Sequence, residues 1–313
     1  MATASTTTVL DHSSTTGFRA WVAEFIAQLN AVGLTQTSDT GQIDTTTVTR
    51  PGVSTNAGYA IFRFNDTLHN TTPIFIRFDF GTDASATIPR IQVAIGSGTD
   101  GAGVITGAML GQRAMTHSSS PNSTSTSYVS RFCYNANLGF LGVAWKTGAQ
   151  GTDANNGVLF IGRTTNSSGA PTDAGVYNIS MGGTISATGG GGGNGALYQQ
   201  VWDVSSATRY PVNTSFANNA PHFGFWPHNL TSTQVGSDTY VVPFFYATPA
   251  IDTHLHCGLV LRNEVPVGNT FSLATKGSTA RTFISIGHPG ATSVAMPVAG
   301  GATSNVGLFM LWE

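Results

Sequence analysis

The sequence predicts an all-β protein, an antiparallel β-sandwich or jelly-roll-like body with one N-terminal amphipathic helix. Three observations carry that expectation. At least ten short runs have strand periodicity or a buried-strand composition, separated by loops rich in Gly, Ser, Thr and Asn. One stretch alone repeats its apolar residues at helical spacing. Strands and helices do not alternate regularly, which argues against Rossmann and barrel enzymes. No internal repeat supports a propeller or a β-helix.

The elements follow in chain order. Residues 1–16 are Thr/Ser-rich and read as extended. Phe18, Trp21, Val22, Phe25, Ile26, Leu29 and Val32 then recur at three and four residues, giving the apolar stripe of a helix. Thr15 or Thr16 is the expected N-cap and Gly33 the terminator. This stripe has two possible partners, the body of the same chain or a neighbouring subunit. Residues 1–50 are therefore read as an extended segment and docking helix, with Phe18, Trp21, Val22, Phe25, Ile26 and Leu29 as the docking face. Residues 51–313 are read as a β-rich body, with a possible division near the glycine-rich stretch 182–195.

Tyr59–Phe64 and Ile74–Phe80 read as strands split by Thr71-Thr72-Pro73. In the second, Ile74, Ile76, Phe78 and Phe80 share one face, and Phe75, Arg77 and Asp79 the other. Ile88–Ile95 is a strand beginning after Pro89, and residues 96–103 (GSGTDGAG) read as a loop. Thr116–Ser127 is polar and low in complexity. Tyr128–Tyr134 and Leu138–Trp145 form a hairpin around Asn135-Ala136-Asn137. Strands are expected at Gly157–Arg163 and Val176–Met181. Five consecutive glycines within 182–195 cost too much backbone entropy for a regular element, so a flexible loop or hinge is expected there. Later strands are Leu197–Val204, Tyr240–Tyr246, Leu255–Leu261, Arg281–Gly287 and Asn305–Trp312. So apolar a C-terminal run as Leu308–Trp312 is expected to be covered, either in a sheet or at an interface.

Composition narrows the function. Charged residues make up 9% of the 313, against roughly 25% in an ordinary soluble domain, and the formal net charge is -2. That argues against a nucleic-acid binder. The N-terminus lacks the basic and apolar regions of a signal peptide, and no apolar run approaches the length of a membrane span. Cys133 and Cys257 read as two unrelated reduced thiols, too few for a disulfide scaffold.

Candidate chemistry is sparse. The 96–103 segment fits neither the dinucleotide nor the nucleoside-triphosphate glycine pattern, and Asp100 alone does not supply the oxygens calcium needs. His254 and His256 share one side of an expected strand, a possible half-site for a structural metal. Zinc there needs a further ligand such as His222, His228 or His288, and no metal site is assigned. No Gly-x-Ser-x-Gly elbow occurs. The three glutamates are Glu24, Glu264 and Glu313, and no carboxylate pair stands out for glycosidase work. Asp79 and Asp83 read as a strand edge and a turn. The chain is expected to be non-enzymatic and without a cofactor. Phe223, Phe225 and Trp226, in the loop PHFGFWPH, suit either an interface or the apolar face of a sugar ring.

The words GFRAWVAEFIAQLNAVGL, TQTSDTGQIDTTTVTRP, GYAIFRFNDTLHNTTPIFIRFDFG and PRIQVAIGSGTDGAG, over residues 17–103, resemble a family of virion structural proteins of tailed bacteriophages. That family brings no mapped active site, so no functional residue is carried over. The resemblance implies a structural part of a phage particle, at the tail tip, baseplate or attached fibre. The alternatives are a phage receptor- or carbohydrate-binding protein and a capsid surface decoration protein. Its partners are expected to be other virion proteins, further copies of the chain in a symmetric assembly, and conceivably a host surface glycan, with no nucleic acid and no membrane insertion. The virion, assembled in the bacterial cytoplasm, is its expected location.

Overall fold

The computed structural model describes residues 2–10, 14–82, 89–116, 126–147, 156–166, 168–182, 196–204, 207–214, 233–234, 240–247, 252–261, 268–273, 280–287 and 306–312. In chain order the strands and the helix are β1 (Ala2–Leu10), α1 (Thr15–Ala31), β2 (Thr35–Gln36), β3 (Asn56–Arg63), β4 (Phe75–Thr82), β5 (Pro89–Thr99) and β6 (Ile105–Thr116). There follow β7 (Thr126–Asn135), β8 (Phe140–Thr147), β9 (Asn156–Thr165), β10 (Pro171–Gly182), β11 (Ala196–Asp203) and β12 (Thr208–Thr214). The last six are β13 (Thr233–Gln234), β14 (Tyr240–Ala247), β15 (Asp252–Leu261), β16 (Thr270–Leu273), β17 (Arg281–Gly287) and β18 (Val306–Leu311).

These strands make three antiparallel sheets. The N-terminal sheet is the meander β2-β3-β4-β5-β6. The central sheet runs β1-β7-β8-β9-β10-β11-β12, and the C-terminal sheet runs β13-β14-β15-β18-β17-β16. The mostly-β reading with a single N-terminal helix holds.

Strand alternation explains the layering. Phe132, Tyr134, Leu141, Val143, Leu159, Ile161 and Val176 of the central sheet join one core cluster with α1 and the N-terminal sheet. Their chain neighbours Cys133, Phe140, Ala144, Val158 and Phe160 are also buried, and by the strand's period of two they point to the opposite face. There a Cβ added to Gly142 would stand 2.8 Å from Met310 Sδ of β18, so the C-terminal sheet covers that face. The central sheet is thus buried on both sides along β7–β10. Its near-continuous apolar runs, such as Val158–Ile161, have that cause.

The helix lies inside this arrangement. Ser14, one residue before the expected caps, accepts a hydrogen bond from Gly17 N–H at 3.0 Å and is the N-cap. Gly33, at φ 102°, ends the helix as expected. Phe25 meets Phe78, Phe80 and Phe132 edge-on at centroid distances of 5.5, 5.6 and 5.2 Å, and Trp21 meets Phe80 at 5.8 Å. Phe18, Trp21, Val22, Phe25 and Leu29 are buried and Ile26 is packed against the same cluster. Of the stripe's two possible partners, the body of the same chain is the one that covers it. The six side chains read as a docking face are filled by the chain's own sheets.

The same holds at the C-terminus. β18 sits between β15 and β17, Phe309, Met310 and Leu311 are buried, and Trp312 N–H donates to Thr282 O at 2.9 Å. Two expectations shift. The 96–103 segment is not all loop, because β5 continues through Thr99 and pairs with β6, a strand absent from the sequence reading. The glycine-rich stretch is bracketed by strands of one sheet, since β10 and β11 pair up to Gly182 and Ala196.

Candidate functional site

The corner at residues 96–103, whose glycines fit no phosphate-loop pattern, ends in a satisfied turn. Asp100 Oδ1 accepts from Ala102 N–H at 2.8 Å and Val104 N–H at 2.9 Å, and these bonds hold its carboxyl below the ordinary value. Asp39 Oδ1 accepts from Gly103 N–H at 3.4 Å. Burial raises the Asp39 carboxyl, but bonds from Thr37, Thr99 and Gly103 outweigh it, and the net shift is downward. Gly103 O in turn accepts from Arg77 Nη1 at 2.6 Å, while Arg77 lies 4.1 Å over the Tyr59 ring. Arg77 also holds Asp79 through Nε at 3.0 and 3.1 Å. Asp79 is therefore one half of an ion pair, and Asp83 lies outside the described residues.

The other sequence candidates are placed as follows. Cys133 and Cys257 are buried and neither forms a disulfide, as expected. Burial pushes the Cys133 thiol up to about 12 and the Cys257 thiol well above its ordinary value, which makes both inert. His254 and His256 fall at alternate positions of β15, with His254 opposite Phe245. His222, His228 and His288, together with Phe223, Phe225 and Trp226, lie outside the described residues. Among the described residues no group of three metal-ligating side chains comes together.

A concave feature among the described residues was not legible in the sequence. Where β6, the edge of the N-terminal sheet, crosses the central sheet, a cleft of about 390 Å³ opens. Trp202 and Val204 line one side, Ser97, Gly107, Ala108 and Met109 another, and Thr71, Thr72 and Pro73 the rim. Trp202 pairs with Val176 across β10 and β11, so by register it faces the same layer as Val176. It is half-buried against the main core cluster. Among the described residues that line the cleft none is charged.

The rim is held by an unusual device. Arg163, at the end of the apolar run in β9, is buried and forms an ion pair with Asp66, which is also buried. Arg163 Nη2 donates to Asp66 Oδ1 at 3.0 Å and to Thr72 O at 2.6 Å. Asp66 also accepts from Leu68 N–H at 3.2 Å, and Leu68 O accepts from Thr72 N–H at 2.9 Å and Thr71 Oγ1 at 3.1 Å. The guanidinium of the central sheet therefore fixes the rim turn of the N-terminal sheet. On the opposite wall Gly107 has φ 56°, and a Cβ there would stand 2.0 Å from Ser97 Oγ. Glycine alone leaves the Ser97 hydroxyl its place. β5 and β6 change register beside this point, a common arrangement next to functional sites.

No protein-family model matches the chain, and no curated protein matches it.

Proposed function

We propose that this chain is a non-enzymatic structural component of a tailed phage particle, placed at the tail tip, baseplate or attached fibre, with a sandwich- or jelly-roll-like body. The observation that carries this reading is the outer edge of β1. β1 pairs with β7 through nine consecutive residues without a bulge, and among the described residues β7 is its one strand neighbour. Its sequence, ATASTTTVL, contains no charge, proline or glycine. Soluble proteins usually guard such an edge with lysine, proline, a bulge or shortness. The other described edges carry such guards. β12 contains Arg209 and Pro211, β2 and β13 have two residues each, β16 has four, and β6 carries register shifts. An unguarded edge suits a subunit whose neighbour in a symmetric assembly supplies the next strand. The low charge and the likeness of residues 17–103 to phage virion proteins support the same reading.

Mass spectrometry of purified particles, followed by electron cryomicroscopy to locate the subunit, tests it. Absence of the chain from purified particles sinks the proposal. A second reading, a receptor- or carbohydrate-binding protein, is favoured by the cleft over Trp202, whose described lining carries no charge. It predicts that the isolated chain adheres to host cells.

A further inference from the structure

We infer that the cleft over Trp202 is a binding site for a neutral saccharide. The inference rests on the receptor-binding reading for its choice of ligand and on the geometry of the cleft for its place. The lining joins an aromatic ring and the apolar Pro73, Met109 and Val204 to the hydroxyls of Thr71, Thr72 and Ser97. None of the described lining residues offers an ionic ligand a counter-charge. A purely apolar ligand strips water from the Thr72 and Ser97 hydroxyls and returns nothing, whereas Thr71 Oγ1 already donates to Leu68 O. A pyranose matches both halves, with an apolar ring face for the indole and hydroxyls for the rim. The volume, about 390 Å³, falls within the range of roughly 300–1,000 Å³ typical of small-molecule pockets.

Preorganisation is the stronger argument. A buried ion pair rarely adds net stability, because desolvation offsets its attraction. Arg163 and Asp66 do something an apolar pair does not: they fix the Thr72 carbonyl, and with it the rim, from the neighbouring sheet. A rim built rigid before the ligand arrives loses little entropy on binding. On the far wall Gly107, at φ 56°, leaves the Ser97 hydroxyl the room a Cβ would take, in a conformation glycine adopts without steric cost.

The test titrates the full chain with neutral hexose and N-acetylhexosamine mono- and oligosaccharides, alongside sialylated and sulfated counterparts, by calorimetry and tryptophan fluorescence. Neutral sugars are expected to bind, and Trp202→Ala to weaken them by about tenfold or more, the scale of one lost stacking contact. Trp202 also packs on the core, so Ala108→Trp is a second variant. Ala108 is exposed and lines the cleft, and an indole there takes up space the ligand needs. Binding that survives both substitutions overturns the inference, as does preference for the acidic sugars or no binding to any of the set. Host-cell adhesion is measured in parallel. Adhesion without saccharide binding overturns this site and leaves the receptor reading standing. Saccharide binding lost in Trp202→Ala while adhesion persists upholds the site and removes the cleft from host recognition.

Discussion

Arg163 and Asp66 meet where neither reaches water, so each depends on the other for its solvation. Removing one partner leaves a buried charge alone. Asp66→Ala is therefore expected to destabilise the fold by about 3–5 kcal/mol in urea unfolding. The cysteines predict the opposite kind of silence. With Cys133 pushed up to about 12 and Cys257 raised well above its ordinary value, a disulfide thiol reagent at pH 8 should find no reactive group in the folded chain and two after denaturation. Asp39 supplies a pH signature. Its folded value lies below the ordinary 3.8, so the unfolded chain binds its proton first as pH falls. Its contribution is present above 3.8 and disappears as pH drops through the folded value. Asp39→Asn should flatten the acid limb of a stability-against-pH curve. Little of this was legible from the sequence. An arginine closing the apolar run GVLFIGR hints at a buried partner, but nothing nearby names Asp66, which is far away in the chain. Trp202 read as one more strand aromatic, because its half-burial arises from where another sheet happens to stop.

The elements were more legible than the residues. The span Arg281–Gly287 coincides with β17, and the hairpin at 135–137 lies at the junction of β7 and β8, because local period and turn chemistry fix them. β6, β12 and β16 were not anticipated. β6 loses its alternation to register shifts and to the conformation of Gly107. β12 contains Pro211, tolerated because the strand is a sheet edge. β16 is four residues long and declares itself only by pairing with β17. The helix was read correctly, but its stripe did not reveal whether its own chain or another covered it. β1 yields the prediction at this scale. Thr6→Lys places a charge in the middle of its open edge. It should abolish concentration-dependent association of the chain in sedimentation velocity while leaving the circular dichroism spectrum unchanged. Association unaffected by the substitution assigns it to another surface.

At the scale of the molecule, the low charge acquires a structural reason. Strands buried on both faces have no solvent side on which to place ions, and β7–β10 of the central sheet are such strands. The order of the chain in that sheet has a further consequence. β1 finds its partner β7 only after α1 and the whole N-terminal sheet have been threaded between them. The N-terminal sheet is a meander of nearest neighbours and closes on itself without waiting. During synthesis at about 5–20 residues per second, β1 therefore emerges roughly 6–25 s ahead of the strand that completes it. For that interval an uncharged, threonine-rich strand waits unpaired on every nascent chain. In the assembly proposed above, crowded translation of one message would favour early meetings between copies, before any single copy is finished.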